Sequence, residues 1–181
     1  YALIGGLLAS ICCGIVGSYV VAKRIAYLAS GIAHTILGGM GIAAYLGASP
    51  QLGALIAALV AAILIGWINL RWREHEDTLI SVMWSVGMAV GIVFVAKTPG
   101  YTTDLMSYLF GNILMLSPTE LYWMAGLDLA LILLVAWLRR PFLALCFDEE
   151  YARLRGVPVV PLYMLLLGMV AVTVVVLTQV V

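Results

Sequence analysis

Long apolar stretches separated by short polar breaks dominate the pattern of residues along this chain. Each stretch is close to the roughly 20 residues that a helix needs to cross a hydrocarbon core of about 30 Å. A spanning segment must satisfy its backbone hydrogen bonds internally, and the apolar positions do not alternate as barrel strands do, so each stretch is predicted to be a transmembrane helix. The six predicted spans are residues 2–22, 26–46, 51–70, 79–96, 120–138 and 160–181.

Positive charge is confined almost entirely to alternate breaks. All nine Lys and Arg residues except Lys97 follow the first, third or fifth stretch. The positive-inside rule makes that side cytoplasmic, so the breaks at residues 47–50 and 97–120 are external. The cytoplasmic basic residues are Lys23, Arg24, Arg71, Arg73, Arg139, Arg140, Arg153 and Arg155.

Composition narrows the class of protein further. With 65% hydrophobic residues, 10% charged residues and a mean hydropathy of +1.14, the 181-residue chain cannot cover itself with the charged surface of a soluble domain. We therefore predict an all-α, polytopic membrane protein in contact with lipid. A formal net charge of zero argues against a nucleic-acid partner. Both ends lie inside apolar stretches, so we expect residues 1–181 to form a single transmembrane domain of a longer protein.

Two segments between the spans have an organisation of their own. The apolar part of the external segment, residues 105–116, has the length of a re-entrant or interfacial helix, and Asp104 is placed to cap it. On the cytoplasmic side, residues 147–158 place acidic residues before basic ones, the order that a helix dipole prefers, and Gly156 is typical of a helix end. This short amphipathic helix is either a docking surface or a solvated loop helix.

Two ionisable residues lie deep in the predicted spans. His34 is about eight residues, or roughly 12 Å, from the inner end of the second span, and Asp128 lies at a comparable depth from the outer side. Because ionisable groups in hydrocarbon are costly, each is a candidate for a contact on an ion path. The alternatives are a histidine satisfied by a neighbouring helix and an aspartate paired with a Ser, Thr or Tyr.

Small residues near the middle of the first two spans also have two interpretations. Cys12 and Cys13 are more simply explained as packing residues than as soft metal ligands, because buried free cysteine behaves as a hydrophobe. The cluster of Gly38, Gly39 and Gly41 is predicted to permit close approach between helices, or to act as a hinge.

Four motifs, taken in order, carry a family resemblance. They are CGIVGSYVVAKRIAYLASGIAHTILGGMGIAAYLG in spans one and two, EDTLISVMWSVGMAVGIVF entering span four, DLMSYLFGNIL in the external segment and FDEEYARLRGVP in the last cytoplasmic break. In this order they resemble the permease subunit of the metal-type ABC importer family, which takes up zinc, manganese or iron. The resemblance covers nearly the whole chain.

The resemblance implies an inner-membrane permease of eight spans, six of them in this chain, that works as a homodimer or paired permease. It also implies no permanently bound cofactor, a transported metal ion, an ATPase subunit that binds ATP, and a periplasmic or lipoprotein metal-binding protein. The coupling helix that contacts the ATPase would correspond to Asp148, Glu149, Ala152, Arg153, Arg155 and Gly156. The external motif would comprise Asp104, Leu109, Phe110, Gly111 and Asn112.

Two positions depart from the family pattern. Similar permeases carry an aspartate one helical turn before the span-two histidine, where this chain has Ser30, and their external LFGD motif ends here in Asn112. The metal path expected here is therefore His34, Ser30 and Asp128. Fewer carboxylates favour a metal that binds neutral imidazole, zinc first and then manganese or iron.

Three functional classes follow from these observations. The favoured one is the permease subunit of an ATP-driven importer of a divalent transition metal. The chain has no GxxxxGK[ST] phosphate loop, so ATP hydrolysis is expected on a separate chain and this subunit is not an enzyme. The alternatives are a secondary transporter or channel that needs no ATPase, and a non-transporting subunit of a larger membrane complex.

Overall fold

A computed structural model describes residues 1–71, 76–98, 116–178 and 180. The regular structure of these residues is entirely helical. The helices are α1 (Ala2–Lys23), α2 (Ala26–Tyr45), α3 (Pro50–Arg71), α4 (Glu76–Lys97), α5 (Pro118–Phe147), α6 (Glu149–Leu154) and α7 (Val159–Leu177).

All of these helices except α6 are long and apolar enough to cross a membrane, which confirms the six predicted spans. The clearest difference concerns α5, which continues past the predicted end at residue 138 to Phe147. Its 30 residues make it about 45 Å long, more than the hydrocarbon core requires. The Arg139 and Arg140 pair therefore ends the apolar span without ending the helix, because charged turns can continue into the interface.

The centre of the bundle is formed by α2 and α7. Helix α2 packs against α1, α3, α4 and α7, and α7 packs against α1, α2, α3, α5 and α6. Ile32 and Ile36 of α2 and Leu166 and Leu167 of α7 are completely buried. Because α7 is surrounded by other helices, it carries apolar residues on nearly every face.

Glycines allow α2 to approach its neighbours closely. A Cβ atom on Gly41 would lie 2.6 Å from the carbonyl oxygen of Gly91, and one on Gly87 would lie 2.8 Å from the Cα atom of Thr35. A second glycine contact, between Gly39 and Gly53, joins α2 to α3 with the same lack of room for a side chain. The glycine cluster therefore permits backbone-to-backbone packing, as predicted.

Contacts between helix ends agree with the predicted alternation of the spans. At one end, Lys23 at the end of α1 forms an ion pair with Glu149, the first residue of α6. At the other end, the Gln51 side-chain amide of α3 donates to Glu120 of α5 at 3.1 Å. Glu120 also forms a capping box with Ser117 that fixes the start of α5. The predicted cytoplasmic and external ends are thus each held together.

Candidate functional site

His34 lies on α2, where this helix crosses α4. The imidazole is half-buried and stacks on the indole of Trp84, with ring centroids 3.8 Å apart and ring planes 7° apart. The close approach of the two helices at Gly38 and Gly87, one turn further on, brings α2 and α4 near enough for the two rings to lie face to face. The Trp84 Nε1–H group donates to the Met88 sulfur at 3.1 Å.

This stacking orients the imidazole without occupying its ring nitrogens, the atoms that could bind a metal. The lone pair of a neutral imidazole nitrogen lies in the ring plane, whereas Trp84 covers the ring face. The indole N–H group of Trp84 is already bonded to Met88, so it does not compete for a His34 nitrogen. An imidazole held in this way can offer nitrogen to a borderline metal such as zinc.

Ser30 lies one helical turn before His34 on α2, and both side chains are half-buried. Residues four apart share a helix face, so an imidazole nitrogen and a hydroxyl oxygen are presented together. Among the residues that the structure describes, no group of three or more His, Cys, Asp and Glu side chains could hold a metal ion.

Asp128 lies elsewhere in the bundle, where α5 meets α1 and α7. Its side chain is 2% exposed, and neither carboxyl oxygen has a hydrogen-bond partner within the described residues. Cys12 and Cys13 of α1 are its electrostatic neighbours. The Cys12 thiol itself donates to the Thr173 hydroxyl at 3.4 Å. The expected alternative of a hydrogen-bonded pair between Asp128 and a hydroxyl is thus not found in the described part of the chain.

The predicted path residues therefore separate into two places. Ser30 and His34 share the face of α2 next to α4, whereas Asp128 is packed between α5, α1 and α7. Nothing in the described ranges groups Asp128 with His34 as metal ligands.

The cytoplasmic helix α6 forms as predicted. Asp148 caps it by accepting the backbone N–H groups of Glu150 at 2.9 Å and Tyr151 at 3.0 Å. The helix ends in a turn at Gly156, whose φ of 75° favours glycine.

Only part of the predicted docking set faces outward. The exposed members of the set are Asp148, Arg153, Arg155 and Gly156, and Leu154 beside them is exposed as well. The Arg155 guanidinium lies over the Tyr151 ring at 5.1 Å. Two members of the set hold α6 to the bundle: Ala152 is completely buried, and Glu149 forms the ion pair with Lys23 of α1.

Two groups of residues differ in how they relate to the sequence-based predictions. The external motif, Asp104 with Leu109, Phe110, Gly111 and Asn112, lies outside the described residues. Sequence reasoning missed Trp84 and Met88 as the groups that hold His34. A signal was present, since Trp84 comes just before a small-residue pattern, Gly87 with Gly91, as His34 comes just before Gly38.

Within the described residues, six helices are long and apolar enough to cross a membrane, which defines a helical, multi-pass membrane protein. The chain belongs to the ABC 3 transport family, whose model matches residues 1–181, and this confirms the resemblance seen in the sequence. Its place is therefore the cytoplasmic (inner) membrane.

Known proteins of this family resemble the chain along almost its entire length. A "Probable metal transport system membrane protein" of Chlamydia trachomatis is 46% identical over 178 residues, covering 95% of this chain and 61% of the relative. The "Manganese transport system membrane protein MntC" of Halalkalibacterium halodurans is 34% identical over 174 residues, covering 94% and 60%.

A solved structure shows the same fold. The structure of PsaBC from Streptococcus pneumoniae in complex with Fab matches with a TM-score of 0.81 and 32% identity, covering 99% of this chain and 64% of that one. The chain thus spans about three fifths of the length of the relatives that it matches.

Proposed function

We propose that this chain is part of the transmembrane permease subunit of an ATP-driven importer of a divalent transition metal. The observation that carries the proposal is the position of His34. Its imidazole lies about 12 Å inside a span, and stacking on Trp84 fixes the plane of the imidazole ring. An ionisable residue at that depth marks an ion path by default. Membership of a transport family and relatives named for metal transport support the same conclusion.

The proposed metal contacts are His34 with Ser30, and Asp128 as a separate second contact. Ser30 and His34 supply oxygen and nitrogen donors without a carboxylate, which suits zinc first and manganese or iron next. A relative named for manganese transport keeps manganese among the candidates. Asp128 is buried and neither carboxyl oxygen has a hydrogen-bond partner in the described residues, so a cation would satisfy an otherwise unpaired buried carboxyl group.

The proposed partners follow from the two sides of the molecule. Helix α6 is held by its Asp148 cap and the buried Ala152, and it presents exposed Arg153, Leu154 and Arg155 to the cytoplasm. We propose that an ABC ATPase subunit docks there and hydrolyses the ATP. A second permease copy beside this one and an external metal-binding protein complete the proposed assembly.

The experiment that tests the metal path uses the full-length protein, reconstituted in lipid with its ATPase subunit. ATP-driven uptake of zinc, manganese and iron is measured for wild type, His34→Ala and Asp128→Asn. We expect uptake by His34→Ala to fall at least about tenfold, because the oriented nitrogen donor is lost. Asp128→Asn should reduce uptake while leaving thermal stability unchanged, because the carboxyl has no described hydrogen bond to lose.

The matched control is Ile63→Ala, a truncation on the exposed face of α3. It should transport at the wild-type rate. Normal uptake by His34→Ala would remove His34 from the path. A protein that purifies without an ATPase and still moves ions down a gradient would favour the secondary-transporter alternative.

Docking on α6 is tested by co-purification. Arg155→Glu reverses an exposed charge at the C-cap of α6, whereas Arg139→Glu reverses an exposed charge of α5 where its apolar span ends. We expect Arg155→Glu to reduce recovery of the ATPase subunit severalfold and Arg139→Glu to have little effect, because exposed charges act mainly through direct partners. Equal recovery with both variants would place the ATPase contact elsewhere.

A further inference from the structure

A buried polar cluster lies where α1, α5 and α7 meet. It consists of Cys12 of α1, Asp128 of α5 and Thr173 of α7, and none of the three is more than 6% exposed. The Cys12 thiol lies 3.4 Å from the Thr173 hydroxyl, and it also interacts with the Asp128 carboxyl group. Three helices therefore each contribute a polar side chain to one place inside the bundle.

The Thr173 hydroxyl sets the direction of the hydrogen bonds in this cluster. A hydroxyl has one hydrogen to donate, and Thr173 donates it to the Met169 carbonyl oxygen of its own helix at 2.9 Å. Thr173 can therefore only accept from Cys12, so the Cys12 thiol donates its hydrogen to Thr173. The Cys12 sulfur then has only lone pairs left for its contact with Asp128.

The contact between Cys12 and Asp128 thus consists of acceptor atoms. In the part of the chain that the structure describes, neither Asp128 oxygen has a hydrogen-bond partner and the carboxyl group forms no ion pair. A carboxylate and a sulfur lone pair that face each other without a donor are unfavourable in a buried place. A cation between the two side chains would satisfy both.

Two members of the cluster have simpler explanations when each is taken alone. A buried free cysteine is usually a packing residue, and a threonine bonded to a carbonyl oxygen of its own helix is tolerated in an apolar span. Neither explanation covers Asp128, because a buried carboxyl group without a partner is costly in hydrocarbon. The unpartnered carboxyl group beside the thiol is the observation that points to a ligand.

We propose that Cys12 and Asp128, with the Thr173 hydroxyl beside them, form a binding site for a thiophilic divalent cation such as zinc. The inference rests on the proposed function and extends its Asp128 contact by a sulfur ligand. Thiolates favour zinc, whereas manganese prefers oxygen ligands. Binding forms a metal–sulfur bond and releases the thiol proton to water, because the thiolate is the ligand. Fewer protein ligands than a structural zinc site has suit an ion in transit.

Binding is tested without transport, by ultraviolet absorption of the purified full-length protein titrated with Cd²⁺. A thiolate bound to Cd²⁺ gives a charge-transfer absorption that imidazole, carboxylate and hydroxyl ligands do not give. The absorption therefore reports a sulfur ligand and not His34. We expect it to saturate in the wild-type protein. Zinc should displace it, whereas manganese at about tenfold the zinc concentration should not, because manganese binds sulfur poorly.

Variants locate the sulfur ligand. Cys12→Ser keeps a donor for Thr173, so it should remain folded in a thermal unfolding measurement but lose the Cd²⁺ absorption. Asp128→Asn should raise the Cd²⁺ concentration for half-maximal absorption about tenfold, because a carboxylate ligand is lost. The matched control is Cys13→Ser, which should keep the absorption, since consecutive side chains point about 100° apart on a helix.

Two results would overturn the proposal. One is absorption that survives in Cys12→Ser. The other is a wild-type protein that gives no Cd²⁺ absorption, which is the result expected if a proton alone satisfies Asp128.

The selectivity of uptake provides the second test, in lipid with the ATPase subunit. Cys12→Ser should lower zinc uptake about fivefold relative to manganese uptake, because only zinc loses a preferred ligand. Cys13→Ser should keep the wild-type ratio. An unchanged ratio in Cys12→Ser would exclude this site from the path of the metal. Cd²⁺ absorption without uptake would contradict the transport function alone, and uptake without absorption would contradict the site alone, so the two failures are distinguishable.

Discussion

The face of the Trp84 indole lies against the face of the His34 imidazole, and the indole N–H group is bonded to Met88. Stacked aromatic pairs of this kind contribute about 1 kcal/mol beyond the area they bury. That energy restricts the imidazole to one plane, so its nitrogen points in a fixed direction. Trp84 therefore acts as a positioning residue for His34.

Replacing Trp84 tests this role. Trp84→Leu should raise the metal concentration for half-maximal uptake about fivefold, because a loss of about 1 kcal/mol of stacking frees the ring. Trp84→Phe keeps an aromatic face and should restore most of the affinity. Trp137→Leu, at a tryptophan that is 82% exposed, is the control. If the Leu and Phe variants of Trp84 behave alike, stacking does not position His34.

At this scale the sequence predicted which residues are unusual but not what surrounds them. His34 and Asp128 were identifiable because ionisable residues are rare in apolar spans. The glycines that follow Trp84 resemble the one that follows His34, but this pattern does not say that α2 packs against α4, so the sequence alone did not identify Trp84 as the partner of His34. The environment of Asp128 likewise depends on α1 and α7, which are distant in the sequence.

Among the helices, the glycine contacts of α2 set how closely its neighbours pack. Gly41→Ala should destabilise the protein by about 1–3 kcal/mol, because the new Cβ atom would lie 2.6 Å from the Gly91 carbonyl oxygen and force the backbones apart. Gly17→Ala meets no atom within 4 Å and should be neutral or stabilising. Thermal unfolding in detergent measures both. A Gly41→Ala protein as stable as Gly17→Ala would show that α2 and α4 separate freely.

Helix positions were predictable and helix lengths less so. Apolar stretches report the thickness of the bilayer, so they located the six spans but missed the cytoplasmic extension of α5 to Phe147. Helix α6 was predicted well because its signals are local, with Asp148 at the cap and Gly156 at the end. Which spans touch, such as α2 with α4, follows from packing between distant segments and has no counterpart in the hydrophobic pattern.

At the scale of the whole molecule, an ion pair joins the proposed docking helix to a span. Lys23 of α1 pairs with Glu149 of α6, and their side chains are 11% and 33% exposed. We expect Lys23→Glu to uncouple ATP hydrolysis from metal uptake, because it places like charges together at this contact. The reversed pair, Lys23→Glu with Glu149→Lys, should recover part of the coupling. The measurement is the ratio of metal transported to ATP hydrolysed, and an unchanged ratio in Lys23→Glu would exclude the contact as a link.

A helix is stiff along its axis, so the ion pair between Lys23 and Glu149 connects α6, through α1, to the interior of the bundle. Cys12 lies 11 residues before Lys23, about 16 Å along the helix, and its thiol is bonded to Thr173 beside Asp128. A movement of α6 that this ion pair carries to Lys23 would be expected to displace α1 and, with it, the buried polar cluster around Cys12. The proposed docking surface and the membrane interior would then both be connected to helix α1.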